Sequence, residues 1–395
     1  MDHTQASDAQ TRRGVLKALG GASLALYGAI MNRRLYAAEP ASDPRVDKIV
    51  RDTISVDMHN HYPQPPFTQA TTDARPLPAI DLKGQMQKAG LSAVCLTYAL
   101  DSDRSPQPGE WYRYHLQILS DIDRTLQQNG MRRALNMADL KAAHEARTSI
   151  VVQDCEGAQW IEGHLERIEE AYKRGLRHMQ LVHQMHDLVS PLGGVQQLVR
   201  PKTENENSHP VDVTGLTPFG ADVIRECNRL GIVVDLAHAT EATVLEALKV
   251  AKQPLVVTHT ALDNSLSRSD KMYIGDPGLK ARLVSKNYVK AVAEAGGVVG
   301  VWHIFPTLKD YVTGLKQMAD AAGVDHTGIG TDTSIAPPPG RRGFGTNGIW
   351  PDEKTGFLYA VVDEMLVQGF QPEEISKIAG GNYCRVFAKV TSGHA

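Results

Sequence analysis

Cysteine is scarce in this chain of 395 residues, and its spacing argues against two kinds of site. The four cysteines lie far apart and form no C-x-x-C pair, so neither a zinc ribbon nor a dithiol redox centre is indicated. Isolated cysteines inside apolar runs are more often buried thiols than disulfide partners, and we therefore expect free thiols. The residues are Cys95, Cys155, Cys227 and Cys384.

An excess of charge of either sign is also lacking. The chain has 42 basic and 45 acidic residues, and its formal net charge is -3. Proteins that bind nucleic acid or an anionic membrane surface usually carry a marked positive charge. The composition therefore predicts no nucleic-acid partner and gives no support for binding to a membrane surface.

The apolar stretch near the N-terminus is too short to span a membrane. Residues 18–30 are apolar, whereas a spanning helix needs roughly 20 such residues. The stretch follows Arg12 and Arg13, and this combination is typical of a twin-arginine export signal. We expect residues 1–38 to be the signal and residues 39–395 to form one periplasmic domain with no membrane span after cleavage.

The rest of the chain alternates between short apolar runs and helical stretches. One helix is clear at residues 218–230, with Thr217 as N-cap and Gly231 past its end. Eight strands alternating with helices predict a parallel (β/α)8 TIM barrel, and an open doubly wound sheet is the alternative. The predicted strands are 53–58, 92–98, 148–153, 177–182, 231–237, 254–258, 297–303 and 326–331.

Histidines and acids follow six of these eight runs. In a TIM barrel the carboxyl ends of all strands meet on one face, where the active site lies. Residues two apart on a strand point to the same side, so His59 and His61 can reach one cation. Imidazole and carboxylate groups collected in one pocket are what a metal-dependent hydrolase needs. The candidates are His59, His61, Glu156, His183, His238, His259 and Asp332.

Several of these stretches resemble the membrane (renal) dipeptidase family, peptidase family M19, within the amidohydrolase-type metal-dependent hydrolases. The resemblance spans roughly residues 50–390, and the block 215–259 is its most specific part. The stretches that carry it are VDMHN at 56–60, CEG at 155–157, LVH at 181–183, GLTPFG at 215–220, NRLGIVVDLAH at 228–238, Thr258-His259 and GIGTD at 328–332.

The resemblance implies a zinc-dependent dipeptidase with two Zn²⁺ ions per chain. His59 and His61 would bind one zinc, His238 and His259 the other, and Glu156 would bridge them. For the other roles, it implies that Asp332 transfers the proton of the attacking water and that His183 binds the substrate and steadies the oxyanion. Arg268, with Lys271 as a rival, would bind the carboxylate of a dipeptide-like substrate, and a homodimer is the oligomer that similar proteins suggest.

Two departures from the family keep other functions open. The family generally has aspartate where this chain has His61, and Thr333-Ser334-Ile335 stands where the family commonly has a second acid. Another amidohydrolase-type reaction, on a lactone or an N-acyl amino acid, is therefore an alternative. A non-catalytic periplasmic binding barrel is a further one, although such a barrel would have little reason to keep Asp332.

Two polar segments are predicted to form the rim of the pocket. The first is residues 184–216, in which we expect no strand or helix, and its His186, Asp187 and His209 are not predicted to be ligands. The second is the Pro/Gly-rich stretch 336–343. His303, at the end of the seventh predicted strand, faces the same mouth without an assigned role.

Overall fold

The structure, a computed structural model, describes most of the chain after the predicted export signal. The described residues are 43–64, 79–100, 107–183, 185–186, 192–196, 198–199, 215–268, 280–337 and 345–394. From Arg45 onward the chain forms one compact unit. Residues 1–38 lie outside the described part, so the twin-arginine signal stays a prediction. The periplasmic location and the homodimer also stay predictions. No helix of the described part is long and apolar enough to cross a membrane.

Eight parallel strands follow one another in the order of the chain. Consecutive strands pair in two sheets, β1-β2-β3 and β4-β5-β6-β7-β8. Each strand overlaps one of the eight runs predicted from the sequence. The strands are β1 Val56–His61, β2 Ala93–Thr97, β3 Ile150–Gln153, β4 His178–Gln180, β5 Val233–Asp235, β6 Val256–Leu262, β7 Val298–Val301 and β8 Thr327–Ile329.

Backbone hydrogen bonds join the two sheets into a closed barrel. Between β3 and β4, the amide of Gln180 donates to the carbonyl of Cys155 at 2.9 Å. Between β8 and β1, the amide of Asp332 donates to the carbonyl of His59 at 3.1 Å. These bonds leave no open edge between the sheets, so the predicted TIM barrel is confirmed and the open doubly wound sheet is wrong.

Apolar residues of the helices and of the strands share one buried core. A π-helical segment, Lys377–Gly381, joins the last two, and short 3-10 helices occur at Gln159–Ile161 and Val324–His326. The α-helices are α1 Arg45–Asp52, α2 Leu82–Ala89, α3 Glu110–Gln128, α4 Met137–Glu145, α5 Glu166–Lys173, α6 Pro218–Leu230, α7 Glu241–Val250, α8 Lys286–Glu294, α9 Leu308–Ala322, α10 Phe357–Val367, α11 Pro372–Ser376 and α12 Asn382–Thr391.

Apolar side chains fill the N-terminal end of the barrel. They come from the beginnings of the strands and pack against Tyr383 and Phe387 of α12. All are almost fully buried, so this end of the barrel is a packed core and carries no site. The strand residues are Val56, Ala93, Ile150, Val233, Val256 and Val298. The four cysteines are buried free thiols, as predicted.

The two predicted rim segments are described in part. The expectation of no strand within 184–216 is wrong, because Met185–His186 pairs in parallel with Leu198–Val199. Asp187 and His209 lie outside the described residues. Residues on either side of the second segment are hydrogen-bonded: the amide of Thr346 donates to the carbonyl of Ser334 at 3.0 Å.

Helix α6 begins and ends as the sequence predicts. The hydroxyl of Thr217 accepts a hydrogen bond from the amide of Gly220 at 3.0 Å, and Gly231 ends the helix with a φ of 78°. The cap thereby satisfies an amide that the helix itself leaves without a partner.

Replacing Thr217 with alanine should therefore lower the free energy of unfolding by about 1 kcal/mol. Urea unfolding followed by circular dichroism measures the change. Thr217→Ser keeps the hydroxyl and should behave like the wild type. Equal losses in both variants would mean that the methyl group, and not the cap, accounts for the effect.

Candidate metal centre

The carboxylate of Glu156 lies at the centre of the predicted pocket. It follows β3 and is only 1% exposed. Five imidazoles from four other strand ends surround it within a narrow range of distances. From the Nε2 atom of each ring to the nearer carboxylate oxygen, these are 3.5 Å for His59, 3.6 Å for His61, 3.3 Å for His183, 3.5 Å for His238 and 3.6 Å for His259.

The ligand atoms form two groups that share Glu156. One group is His59, Glu156, His259 and Asp332, and the other is Glu156, His183 and His238. Within each group the atoms lie within 4.8 Å of one another, close enough to hold one ion. The shared Glu156 matches the predicted bridge between two metals.

The division of the histidines differs from the one that the family resemblance implied. His259 is grouped with His59, and His183 with His238, while His61 belongs to neither group. The Nε2 atom of His61 instead lies 3.0 Å from Oδ1 of Asp332. The Nε2 atoms of His238 and His259 are only 2.9 Å apart, so these two rings still point at a common position. The fold therefore brings all seven predicted side chains together.

Several buried polar atoms of the cluster have no hydrogen-bond partner. They are both ring nitrogens of His59, Oε2 of Glu156 and Nδ1 of His238. Buried polar atoms without partners are costly, and functional sites are where they persist. A mixed set of imidazole nitrogens and carboxylate oxygens is what Zn²⁺ binds in catalytic sites. The residues present therefore fit a pair of divalent cations.

Burial keeps two histidines of the cluster, His238 and His259, in the form that binds a metal. It lowers the pKa of His238 to about 3 and lowers the pKa of His259 well below its usual range. Both rings are therefore neutral near pH 7, and a neutral imidazole is the form that coordinates a cation. Burial alone would raise the pKa of Glu156, but the imidazoles of His183, His59 and His61 lower it well below its usual range.

A chain of hydrogen bonds fixes the tautomer of His259. The hydroxyl of Thr258 donates to Oδ2 of Asp235 at 2.5 Å and lies 2.9 Å from Nδ1 of His259. Burial raises the pKa of Asp235 to about 6, so its carboxyl is mostly ionised at pH 7 and accepts this bond. Since the single hydroxyl proton is already donated, Nδ1 of His259 must carry the proton. Its Nε2 lone pair then faces the cluster.

Asp332 lies beside the cluster and is held on both sides. Its Oδ1 contacts His61, and its Oδ2 is 2.8 Å from Nη2 of Arg282. Burial alone would raise the pKa of Asp332, but the guanidinium of Arg282 lowers it well below its usual range. Asp332 and His238 both adopt the left-handed backbone conformation, with φ of 55° and 65°. Such strained positions cluster at functional sites.

A closed ring of hydrogen bonds fixes the backbone on both sides of Asp332. The hydroxyl of Thr333 lies 2.7 Å from the hydroxyl of Thr331 and 2.7 Å from that of Thr346. The amide of Asn60 then donates to Thr346 and to Asp57, and Thr331 donates to Asp57 at 2.7 Å. Thr333, a departure from the family, thus ties β8 to β1 directly after Asp332.

Arg282 is a residue of the pocket that sequence reasoning missed. It is 6% exposed and its guanidinium stacks on the ring of Trp302 at 3.6 Å. It precedes the short strand Leu283–Val284, which extends the barrel next to β6. The signal was weak, because this segment follows no long apolar run. His303, which had no assigned role, places Nδ1 2.6 Å from the carbonyl of Thr331.

Arg268, the predicted ligand of the substrate carboxylate, follows β6 and pairs with Asp263. Its side chain is 59% exposed, and Asp263 binds its guanidinium through two nitrogens at 2.5 and 2.6 Å. Within the described part of the chain, no contact joins Arg268 to the cluster. Its predicted rival Lys271 lies outside the described residues. The geometry therefore favours Arg282 as the cation of the pocket.

Fold and cluster together define the class: a TIM barrel with a candidate binuclear metal centre at the carboxyl ends of its strands. The sequence model of the membrane dipeptidase family, peptidase family M19, matches residues 44–394. The chain belongs to this family.

Known proteins resemble the chain in sequence and in fold. The dipeptidase tcpJ of Claviceps purpurea is 25% identical over 228 residues, which cover 55% of this chain and 46% of that protein. The chain thus aligns with under half the length of this curated relative. The probable dipeptidase PvdM of Pseudomonas aeruginosa superposes with a TM-score of 0.68 at 15% identity, covering 88% of this chain and 99% of that one. A metallo peptidase from Rhodobacter sphaeroides, solved with a phosphinate mimic of the dipeptide L-Ala-D-Ala, gives 0.61 at 17% identity and coverage of 86% and 100%.

The shared position of Glu156 predicts how metal content depends on it. We expect the purified wild type to hold two divalent ions per chain and Glu156→Ala to hold one or none, because both groups lose an oxygen ligand. Inductively coupled plasma mass spectrometry measures the content. Glu353→Ala, which removes a glutamate outside the cluster, is the control. Fewer than two ions in the wild type, with the same content in Glu156→Ala, would contradict a binuclear centre.

Proposed function

We propose that the protein is a zinc-dependent dipeptidase of the membrane dipeptidase type, which hydrolyses the peptide bond of dipeptides. The observation that carries this proposal is the single carboxylate, Glu156, surrounded by five imidazoles with Asp332 beside it. Family membership supports the same reaction. In this proposal Glu156 would hold both zinc ions, and His59, His61, His238 and His259 would supply the nitrogen ligands.

Bound zinc would supply a water that ionises near neutral pH and would polarise the scissile carbonyl. Asp332 is the residue we assign to the proton transfers. It is ionised, it borders the cluster, and the ring of hydrogen bonds fixes its backbone. We propose that Asp332 accepts the proton of the attacking water and passes it to the leaving amine.

His183 is assigned to the oxygen of the scissile carbonyl. It is 4% exposed, and its Nε2 lies 3.3 Å from Oε1 of Glu156. Its ring meets that of His238 edge to face, with centroids 4.6 Å apart. An N–H donor at this position would stabilise the negative charge that develops on the oxygen in the transition state.

Arg282, and not Arg268, is assigned to the carboxylate of the substrate. The guanidinium of Arg282 is buried at the pocket and held flat by Trp302, whereas that of Arg268 is exposed and neutralised by Asp263. A planar guanidinium has several N–H donors, so Arg282 can hold Asp332 and still offer donors to a second carboxylate. The L-Ala-D-Ala mimic bound by the Rhodobacter metallo peptidase supports including L,D dipeptides among the substrates.

The dipeptidase proposal is tested by assaying the zinc-loaded protein against L,L and L,D dipeptides, N-acyl amino acids and lactones. We expect turnover of dipeptides, and a loss of about 100-fold or more in kcat for Asp332→Asn, because the proton acceptor is removed. Asp310→Asn, a change on the outer helix α9, is the control. Turnover of a lactone or an N-acyl amino acid, with none of any dipeptide, would refute the proposal in favour of that alternative. No turnover at all would favour a binding barrel.

The role of Arg282 is tested by comparing each dipeptide with its C-terminal amide. In the wild type we expect kcat/KM to be about 10- to 100-fold higher for the free acid, because a charge-assisted hydrogen bond is lost with the amide. Arg282→Met should abolish this preference. Any loss of kcat that follows from the lost contact with Asp332 should affect both substrates equally. Arg268→Met should keep the preference. Loss of the preference in Arg268→Met, but not in Arg282→Met, would instead assign the substrate carboxylate to Arg268.

A further inference from the structure

Asp154 is a buried carboxylate directly beneath the metal centre, and no role in the reaction accounts for it. It is fully buried and lies two residues before Glu156, so both side chains point into the barrel, one layer apart. Its Oδ2 lies 3.8 Å from Nδ1 of His59. Neither atom has a hydrogen-bond partner. The amide of Cys155 donates to the other oxygen of Asp154, Oδ1, at 2.7 Å.

His59 faces two carboxylates from opposite edges of its ring. Its Nε2 is directed at Oε1 of Glu156, at 3.5 Å, and its Nδ1 at Asp154. Only one ring nitrogen of a neutral imidazole carries a proton. If Nδ1 carries it, Asp154 is the acceptor at hand, and the lone pair of Nε2 then faces the cluster.

The second buried histidine of the same group shows how this chain orients an imidazole. His259 is held through Thr258 by Asp235, which leaves its Nε2 lone pair toward the cluster. Asp154 stands in the same relation to His59 without an intervening hydroxyl. Since the two atoms are 3.8 Å apart, a shift of about 1 Å brings them to the distance of a hydrogen bond.

Asp57 shows what a purely structural buried aspartate looks like in this barrel. Its oxygens accept hydrogen bonds from the amide and hydroxyl of Thr331, from the side chain of Asn60 and from the amide of His59. All of these bonds hold the backbone and the ring around Asp332. Asp154 accepts a bond from the amide of Cys155 on one oxygen, and its other oxygen faces His59.

We propose that Asp154 is a positioning residue of the metal centre: it accepts the Nδ1 proton of His59 and so selects the tautomer whose Nε2 binds a cation. This inference rests on the proposed two-metal centre. A carboxylate behind a ligating histidine typically strengthens metal binding by about 10- to 100-fold.

Asp154→Asn tests the proposal because it keeps the shape of the side chain and reverses its hydrogen bonding. The amide of asparagine donates to Nδ1 and favours the opposite tautomer of His59, in which Nε2 is protonated. We expect the affinity for one of the two zinc ions, measured by competition with a chelator, to fall about 10- to 100-fold. The metal-free variant should melt at the same temperature as the wild type or higher, because a poorly satisfied buried acid has been removed.

The tautomer is a second readout, which a structural role would not change. In ¹⁵N-histidine NMR spectra of the metal-free wild type, we expect the His59 signal to report a protonated Nδ1. In metal-free Asp154→Asn it should report a protonated Nε2. The control Asp57→Asn should lower the melting temperature of the metal-free protein and leave the His59 tautomer unchanged.

Zinc affinity of Asp154→Asn within about twofold of the wild type, or an unchanged His59 tautomer, would overturn the inference. A wild type that binds no zinc would overturn it together with the binuclear centre. If the wild type binds two zinc ions, shows these effects and hydrolyses no dipeptide, the proposed substrate is wrong while the role of Asp154 stands.

Discussion

One buried carboxylate, that of Glu156, sets the electrostatics of the whole pocket. It is almost fully buried, and a charge in that position must be balanced by cations or by strong hydrogen bonds. Burial keeps the imidazoles of His238 and His259 neutral, so these two rings offer ligand atoms without adding positive charge. The donor set around Glu156 fits metal ions, and Asp332 and Arg282 lie beside Glu156 as an ion pair.

The barrel supplies rigidity where the chemistry needs it. Strands β1 and β8 meet through the ring of Asp57, Asn60 and three threonines, which holds Asp332 in a left-handed conformation. Thr258 and Asp235 do the same for the ring of His259. Strain at Asp332 and orientation at His259 are therefore both maintained by hydrogen bonds inside the barrel, away from solvent.

Much of the fold and most of the site could be predicted, because their signals are local. A buried parallel strand is a short apolar run, and His59, His238 and Asp332 stand directly after such runs. Which histidine belongs to which of the two ligand groups could not be predicted, since this depends on side-chain directions across the barrel. Arg282 was missed because its segment reaches the pocket beside β6 without forming one of the eight strands. Arg268 is predicted from the family resemblance, which does not show that Asp263 binds its guanidinium.

The packed N-terminal end of the barrel decides how molecules exchange with the cluster. Because α12 and the first residues of the strands fill that end, the described barrel has no channel through it. In the proposed function, the substrate would enter and the products would leave at the carboxyl ends of the strands. A product that has not yet left would then block the binding of the next substrate.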